Sequence, residues 1–282
     1  VYNRPRIFIA RPTMADLPLL LDAQQLLDNL HHPELLIVDL CKKSVYQQAH
    51  IPNAVWVNTR DLVSGELPAT GRLPSVEQLQ QLFANIGLTA NKHLVVYDDE
   101  GGAWAGRFIW TLDIIGHKNY SYLNGGLHAW LAAGFAIDNS PTTPTPSSPS
   151  IDFNDQPQAL LADVLAHYQD SNYVLWDARS IEEYTGSRLL AMRGGHIPNA
   201  VHYEWNQVLD KENSLKLRVL DEVKQELHHL GITSDKTVIV YCQTHHRSGL
   251  SYLVGKLLGL NIKAYAGSWS EWGNLRDTPV SN

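Results

Sequence analysis

The ten residues VIVYCQTHHR, 238–247, decide the fold of this chain. Four apolar or aromatic residues predict a short buried strand that ends at Cys242, and the apolar run 249–260 predicts a helix after the loop. A related junction, HLVVYD at residues 93–98, ends in an aspartate where the other has its cysteine. The two junctions predict a duplicated unit in which only the second copy holds a thiol.

Cys242 is a candidate nucleophile because of its position between a strand and a helix. Backbone amides at a helix start attract anions, and the helix dipole adds a favourable potential. A thiol of ordinary pKa, about 8.5, is only about 3% thiolate at pH 7, so this setting bears directly on reactivity. We expect Arg247, together with His245 or His246 if protonated, to favour the thiolate. The alternative for Cys242 is a buried structural cysteine.

The composition fits a globular protein with two domains. The chain has 282 residues, 44% of them hydrophobic and 18% charged, which exceeds the usual size of one domain. A net charge of -7 disfavours nucleic acid or an anionic membrane as the main partner. Residues 1–13 carry cations but only a short apolar stretch, too short for a signal-peptide core. Two cysteines form no disulfide framework, so we expect a cytoplasmic location.

An internal repeat divides the chain. The pentapeptide HIPNA occurs at residues 50–54 and again 146 residues later, at 196–200. Residues 139–149 contain four prolines and many Ser and Thr residues, which predicts an extended linker that is fully exposed. We therefore predict a first domain at 1–138, a linker at 139–157 and a second domain at 158–282.

Each unit reads as alternating strands and helices. Strands are predicted at 35–39, 94–97, 173–177 and 237–241, and helices at 75–86, 104–115 and 219–230. Apolar strands that alternate with helices predict an α/β fold with a mostly parallel sheet, covered by helices, in each unit. Ligands of such sheets bind beyond the carboxyl ends of the strands, where Asp39, Asp98, Asp177 and Cys242 all lie.

Further residues at the strand ends differ between the units. Cys41 follows Asp39 as Arg179 follows Asp177, and we interpret Cys41 as a packed, unreactive thiol. We expect Arg179 to lie near Cys242 as a second cation for an anionic substrate, with a surface salt bridge as the alternative. The two aspartates are expected to fix the loop after their strand. The HIPNA segments occur in both units and are interpreted as turns, not as catalytic residues.

The sequence resembles the tandem-domain rhodanese-like sulfurtransferases. In the second unit the resemblance is carried by DAR at residues 177–179, GHIPNA at 195–200 and the six-residue loop 242–247. In the first unit, residues 95–110 and NGGLHAW at 124–130 resemble the catalytically inactive domain of that family. The resemblance implies two tandem rhodanese-like domains, with the active site between them.

The resemblance also implies a two-step reaction and the residues that carry it out. Cys242 would take the sulfane sulfur of thiosulfate, forming a persulfide, and pass it to a thiophilic acceptor such as cyanide or a thiol. Arg247 and Arg179 would hold the sulfite oxygens. The remaining expected substrate-binding residues are Gln243, Thr244, His245 and His246. Neither a cofactor nor a metal is implied. The partners would be a small sulfur donor and a thiophilic acceptor, with a sulfur-accepting protein as an alternative acceptor.

Alternative functions remain open at this point. The loop QTHHR matches neither the familiar thiosulfate loops nor the mercaptopyruvate loops, although its arginine favours a dianion such as thiosulfate. A 3-mercaptopyruvate sulfurtransferase, with a different sulfur donor, is one alternative, and a persulfide carrier, which shares the first half-reaction with the enzyme, is another. A phosphatase of this fold is disfavoured, because it requires one more residue between the cysteine and the arginine. A zinc site built from Cys242, His245 and His246 is disfavoured by the crowded spacing.

Overall fold

The first half of the chain forms a five-stranded parallel sheet with helices around it, in a computed structural model that describes residues 17–282. Its elements are, in chain order, β1 (Leu20–Leu21), α1 (Ala23–Asn29), β2 (Leu35–Asp39), α2 (Lys43–Gln48), β3 (Val55–Trp56), α3 (Val76–Asn85), β4 (His93–Tyr97), α4 (Ala103–Ile114), β5 (Tyr120–Leu123) and α5 (Gly126–Ala132). The strand order is β1-β5-β4-β2-β3, and every pairing is parallel. The expectations for residues 1–13 lie outside the described residues.

The second half repeats this architecture. Its elements are β6 (Gln158–Ala159), α6 (Leu161–His167), β7 (Tyr173–Asp177), α7 (Ile181–Tyr184), β8 (Val201–His202), β9 (Leu209–Asp210), β10 (Lys216–Leu217), α8 (Leu220–His229), β11 (Thr237–Tyr241), α9 (Arg247–Leu257), β12 (Asn261–Tyr265) and α10 (Ser268–Trp272). The parallel order β6-β12-β11-β7-β8 matches the first sheet strand for strand, and β9 and β10 form a small antiparallel pair. The predicted duplicated α/β fold is confirmed.

The local signals place the helices close to their predicted positions. Helix α3 begins after Ser75, whose side chain and that of Gln78 each accept a hydrogen bond from the other's backbone amide. The helix is followed by Gly87, whose φ of +78° suits a glycine. Helix α9 begins at Arg247, two residues before the apolar run that predicts it. None of the helices in residues 17–282 combines the length and apolar character needed to cross a bilayer.

The two HIPNA segments are turns, as predicted. Asn53 and Asn199 adopt left-handed backbone conformations, with φ of 66° and 64°, just before β3 and β8. The amide of Ile51 donates to the hydroxyl of Tyr97 at 3.2 Å. The same contact in the second half joins Ile197 to Tyr241 at 3.3 Å. The repeated pentapeptide therefore anchors an edge strand to the central strand of each sheet.

Helices α4 and α9 hold the two halves together through a close backbone contact. A Cβ atom added to Gly106 would lie 2.2 Å from the carbonyl oxygen of Gly249, and one added to Gly249 would lie 2.5 Å from that of Ala103. Only glycine fits at these two positions. Around them, side chains of both halves, such as Phe108 and Leu250, belong to one continuous apolar cluster.

The linker lies against the first half instead of being fully exposed, so that prediction is wrong. Residues 139–157 contain no helix or strand. However, the amide of Ser147 donates to the carbonyl of Ala84 at 2.9 Å, and Asn154 donates to Ile114 at 2.7 Å. Pro149 is buried. The segment has no side-chain core of its own, and these two backbone amides donate to carbonyls at the ends of α3 and α4.

Asp39 and Asp177 fix the loop after their strands, as predicted, but their surroundings differ. Each accepts a hydrogen bond from an amide two residues on, at 2.7 Å from Cys41 and at 3.0 Å from Arg179. Asp177 also forms a buried ion pair with Arg179. Asp39 has Cys41 in the place of that cation, and burial raises its pKa to about 6 although the Tyr97 hydroxyl donates to it.

This difference predicts that ionisation of Asp39 lowers the free energy of unfolding, so that stability depends on pH. A carboxyl whose pKa is raised in the folded state is disfavoured there when ionised, so the wild type loses up to about 3 kcal/mol as pH rises from about 4 to above 6. Asp39→Asn removes this titration. The destabilisation caused by Asp39→Asn, measured by urea unfolding, should therefore be smaller at about pH 8 than at about pH 4.5.

The matched control is Asp177→Asn. It leaves Arg179 buried without its carboxylate and should be strongly destabilising at both pH values. Equal costs of Asp39→Asn at the two pH values would contradict the prediction.

Candidate active site

Cys242 lies at the carboxyl end of β11, where the sequence predicts it, and is 1% exposed. Its amide donates to the Ser268 hydroxyl at 3.3 Å, and its carbonyl accepts from the amide of Trp269 at 3.0 Å. Both partners belong to α10, at the end of the neighbouring strand β12. The start of the loop is thus held by residues of α10, and the rest of the loop continues into α9.

The matching loop of the first half holds an anion that is part of the chain itself, the side chain of Asp98. The Asp98 carboxylate accepts hydrogen bonds of 2.8–2.9 Å from four backbone amides, those of Glu100, Gly102, Trp104 and Ala105. Four charge-assisted hydrogen bonds to one carboxylate make this loop an anion cradle. The cradle of the first half is therefore filled by its own side chain.

Cys242 takes the position of Asp98, because each follows the tyrosine that ends its strand. Gly101 and His245, at equivalent positions three residues later, share a left-handed backbone, with φ of 82° and 54°. The loops diverge at the next residue, where Gly102 has φ of 96° and His246 has φ of -85°. In both halves the loop ends at the first turn of a long helix, whose leading amides have no acceptor within the helix.

Arg247 is near Cys242 but is already paired with a carboxylate. Its Nη1 and Nη2 atoms donate to Glu183 at 2.6 and 2.8 Å, and Glu183 is 1% exposed. Although burial lowers the pKa of Arg247, the hydrogen bonds of Glu183 and the charge of Cys242 raise it above its usual value. The charge that Arg247 brings to the loop is thus largely compensated by Glu183.

His245 is neutral, so the expectation that it adds positive charge by protonation is wrong. Its ring is fully buried and makes an edge contact with Trp110, at 4.6 Å between ring centroids. Burial, and secondarily the charge of Arg107, lowers the pKa of His245 well below its usual value. Its Nδ1 lies 2.7 Å from the Ser248 hydroxyl, which fixes the ring.

His246 connects the loop to the first half. Its ring stacks on Trp104, with centroids 4.1 Å apart, and its Nε2 lies 3.2 Å from a carboxylate oxygen of Glu100. The neighbouring His246 ring lowers the pKa of Glu100. The active-site loop is therefore held partly by residues of the first half, as the resemblance implies.

Arg179 is a buried structural cation, which corrects the expectation that its guanidinium faces the substrate. It is 1% exposed and donates to both oxygens of Asp177, at 2.6–3.0 Å, and to the carbonyl of Gly195 at 2.8 Å. Its guanidinium also lies over the ring of Trp269, at 4.3 Å. The expected unreactive character of Cys41 is supported, because burial and then the charge of Asp39 raise its thiol pKa.

The remaining loop residues form the outer side of the site. Gln243, Thr244 and His246 are half-buried, and the Gln243 side-chain amide donates to the carbonyl of Leu190 at 2.9 Å. A Cβ atom on Gly71 would lie 2.1 Å from the carbonyl oxygen of Thr244, so the first half touches the loop backbone here. No residue expected in the site lies in a remote part of the fold.

Sequence reasoning missed Glu183 and Arg107. Glu183 is three residues after Ser180 in a capping-box pattern, and Ser180 does cap α7. That pattern reveals the helix start but not the ion pair. Arg107 lies within the apolar helix α4, and nothing in its local sequence indicates that it is buried beside the second half.

The fold and the cysteine loop define a protein of two tandem α/β domains with one thiol site, and comparison with known proteins specifies the class further. Two segments, 22–133 and 160–275, match the family of the rhodanese-like domain. Proteins named thiosulfate sulfurtransferase from Pseudomonas aeruginosa and from Azotobacter vinelandii are each 45% identical over 267 residues, covering 94% of this chain and 98% of the relative. The chain belongs to the rhodanese-like family, with two such domains in tandem.

More distant relatives differ in their described roles. A sulfur carrier protein of Thermus thermophilus is 31% identical over 274 residues, covering 90% of this chain and 93% of the relative. The crystal structure of an anaerobic ergothioneine biosynthesis enzyme from Chlorobium limicola matches with a TM-score of 0.84 at 23% identity, covering 94% of this chain and 70% of that chain. The latter similarity is one of fold.

The Arg247–Glu183 pair generates a stability prediction. Arg247→Met leaves the Glu183 carboxylate buried without its cation and should lower the free energy of unfolding by about 3 kcal/mol. Adding Glu183→Gln should recover most of this loss, because the buried charge is then removed. Urea unfolding of the two single variants and the double variant tests the coupling. A double variant as unstable as Arg247→Met would show that the arginine acts through other contacts.

Proposed function

We propose that this chain is a thiosulfate sulfurtransferase in which Cys242 carries the transferred sulfur. The observation that carries the proposal is the position of this thiol, at a strand end within a loop that closes with Arg247 and the first turn of α9. The 45% identity to proteins named thiosulfate sulfurtransferase supports thiosulfate as the donor. A thiol here can act as a nucleophile, and the persulfide that forms on it would lie in a loop rich in backbone amides and positively polarised by the helix start.

The reaction has two steps. The Cys242 thiolate attacks the outer sulfur of thiosulfate, the S–S bond of thiosulfate breaks, and sulfite leaves with the bonding electron pair. A persulfide remains on Cys242. An acceptor such as cyanide or a thiol then attacks the terminal sulfur, and Cys242 leaves as a thiolate. The anionic persulfide is stabilised by loop amides, as the Asp98 carboxylate is in the first half.

The residues of the proposed site divide into two groups. Arg247 contacts the departing sulfite oxygens, since its side chain is 22% exposed beside the thiol, and Gln243, Thr244 and His246 line the access to it. We retain Arg179 and His245 as part of the site, but in a supporting position behind the loop, because both are buried.

Domain roles and compartment follow from the same proposal. Residues 1–138 form a non-catalytic domain, 139–157 a linker and 158–282 the catalytic domain. The cytoplasm is the proposed compartment, because both cysteines are free thiols and thiols stay reduced there.

Delivery of the persulfide sulfur to a partner protein is a second candidate. The Thermus thermophilus relative named a sulfur carrier protein favours it. The carrier and the enzyme share sulfur loading and differ only in the acceptor. Use of 3-mercaptopyruvate as the donor is less favoured, because Arg247 suits an anion that carries two negative charges.

Sulfur loading of Cys242 is the test. The protein mixed with thiosulfate should gain the mass of one sulfur atom on the peptide that contains Cys242, and Cys242→Ala should lose both this gain and thiosulfate:cyanide activity. Cys41→Ala is the matched control and should retain loading, since Cys41 is a buried, protonated thiol. Peptide mass spectrometry, thiocyanate formation and parallel assays with mercaptopyruvate and with candidate acceptor proteins provide the measurements.

Absence of the mass gain in the wild type, or full activity in Cys242→Ala, would refute the proposal. Faster loading from mercaptopyruvate than from thiosulfate would reassign the donor. Slow turnover with cyanide but rapid transfer to a protein acceptor would establish the carrier.

A further inference from the structure

The two arginines of the second domain bring little net positive charge to Cys242. Arg247 is paired with Glu183 through two hydrogen bonds, and Arg179 is paired with Asp177. Each cation therefore has an anion of its own within hydrogen-bond distance. His245 is a poor source of positive charge, because burial lowers its pKa well below its usual value. A thiolate, and later a persulfide, is stabilised further by a cation that is not already paired with an anion.

Arg107 of the first domain is such a cation. Its side chain is 0% exposed, and its Nη1 and Nη2 atoms donate only to backbone carbonyls, those of Gly71 at 2.8 Å and Leu62 at 2.7 Å. Its Nε has no hydrogen-bond partner, and no carboxylate in residues 17–282 forms an ion pair with it. A buried guanidinium held by neutral oxygens keeps its full charge and is costly to bury.

The surroundings of Arg107 place this charge against the active-site loop. Its guanidinium lies 4.5 Å from the centre of the Trp110 ring, and Trp110 in turn contacts the His245 ring. Gly71, whose carbonyl accepts from Arg107, touches the backbone of Thr244. The loop is thus contacted by the aromatic ring over which the guanidinium lies and by Gly71, one of the residues to which it donates.

The contact between α4 and α9 also fixes the backbone of Arg107. A Cβ atom on Gly249 would lie 2.5 Å from the Arg107 amide nitrogen, so the backbones of α4 and α9 touch at this residue. Gly249 is in the first turn of α9, directly after the loop. Arg107 remains a cation at neutral pH, because burial lowers its pKa only to about 9, and the charge of Cys242 partly opposes that lowering.

We propose that Arg107 is a positioning residue for the sulfur-transfer reaction: the non-catalytic domain supplies, through this buried guanidinium, the uncompensated positive charge that stabilises the Cys242 thiolate and persulfide. The inference rests on the proposed function. It gives the first domain an electrostatic role in the reaction, in addition to its packing against the active-site loop. Arg107 acts through its field, since its hydrogen bonds are made to backbone carbonyls.

The pH dependence of Cys242 alkylation tests this proposal. In a Cys41→Ala background, the rate with iodoacetamide is measured against pH for the wild type, Arg107→Gln and Arg107→Lys. Arg107→Gln should move the midpoint of the rate profile upward by about one pH unit, equivalent to about a tenfold slower reaction near neutral pH. Arg107→Lys, which keeps the charge, should restore most of the rate.

Arg193→Gln is the matched control. Arg193 also donates to backbone carbonyls and has an Nε without a partner, but it lies in the second domain and makes no contact with the loop histidines. Its profile should match that of the wild type. A purely structural role for Arg107 would lower the melting temperature without moving the midpoint.

A neutral isostere keeps the test decisive if Arg107→Gln fails to fold. Citrulline at position 107, introduced by nonsense suppression, removes the charge, nearly keeps the shape of the side chain and retains one of the two hydrogen bonds to the carbonyls of Gly71 and Leu62. An unchanged alkylation midpoint in folded Arg107→Gln or in the citrulline protein would overturn the inference. The alkylation profile is independent of sulfur loading, so a wild type that fails to take sulfur from thiosulfate would refute the proposed function and not the role of Arg107.

Discussion

The contact between Gly106 and Gly249 is the constraint on which the rest of the molecule depends. At this point α4 and α9 approach so closely that a single methyl group would collide with a backbone carbonyl. The contact joins the apolar interiors of both halves into one cluster and presses the start of α9 against α4. Because the reactive loop ends where α9 begins, the position of the loop is set by the association of the domains as much as by its own domain.

A common loop design serves opposite purposes in the two halves. In the first, Asp98 supplies a permanent anion and four amides satisfy it, which makes the loop a rigid structural element. In the second, the anion exists only when Cys242 is deprotonated or loaded. The first loop therefore does without a cation, whereas the proposed role of Arg107 gives the second loop a positive charge from the other domain. The contacts of His246 with Trp104 and Glu100 hold the two loops against each other.

The strands, the turns and the location of the thiol could be predicted from sequence because they depend on local patterns. The apolar run before Cys242 and the repeated HIPNA turns are of this kind. The charges around the thiol could not be predicted. Arg179 and Arg247 look like substrate-facing cations in the sequence, yet each has a buried carboxylate partner whose proximity only the folded chain reveals. Arg107 belongs to the other domain, and its environment is created by the helix contact.

The Asp98 carboxylate resembles the group that Cys242 would carry after it has taken up sulfur. A carboxylate oxygen of aspartate and the terminal sulfur of a cysteine persulfide are both two covalent bonds away from the Cβ atom. The first domain therefore carries at all times, in an ordinary amino acid, an anionic group that extends as far from the backbone as the proposed persulfide and is bound by backbone amides. The duplicated chain thus contains a permanent counterpart of the state that its other half reaches only when it is loaded with sulfur.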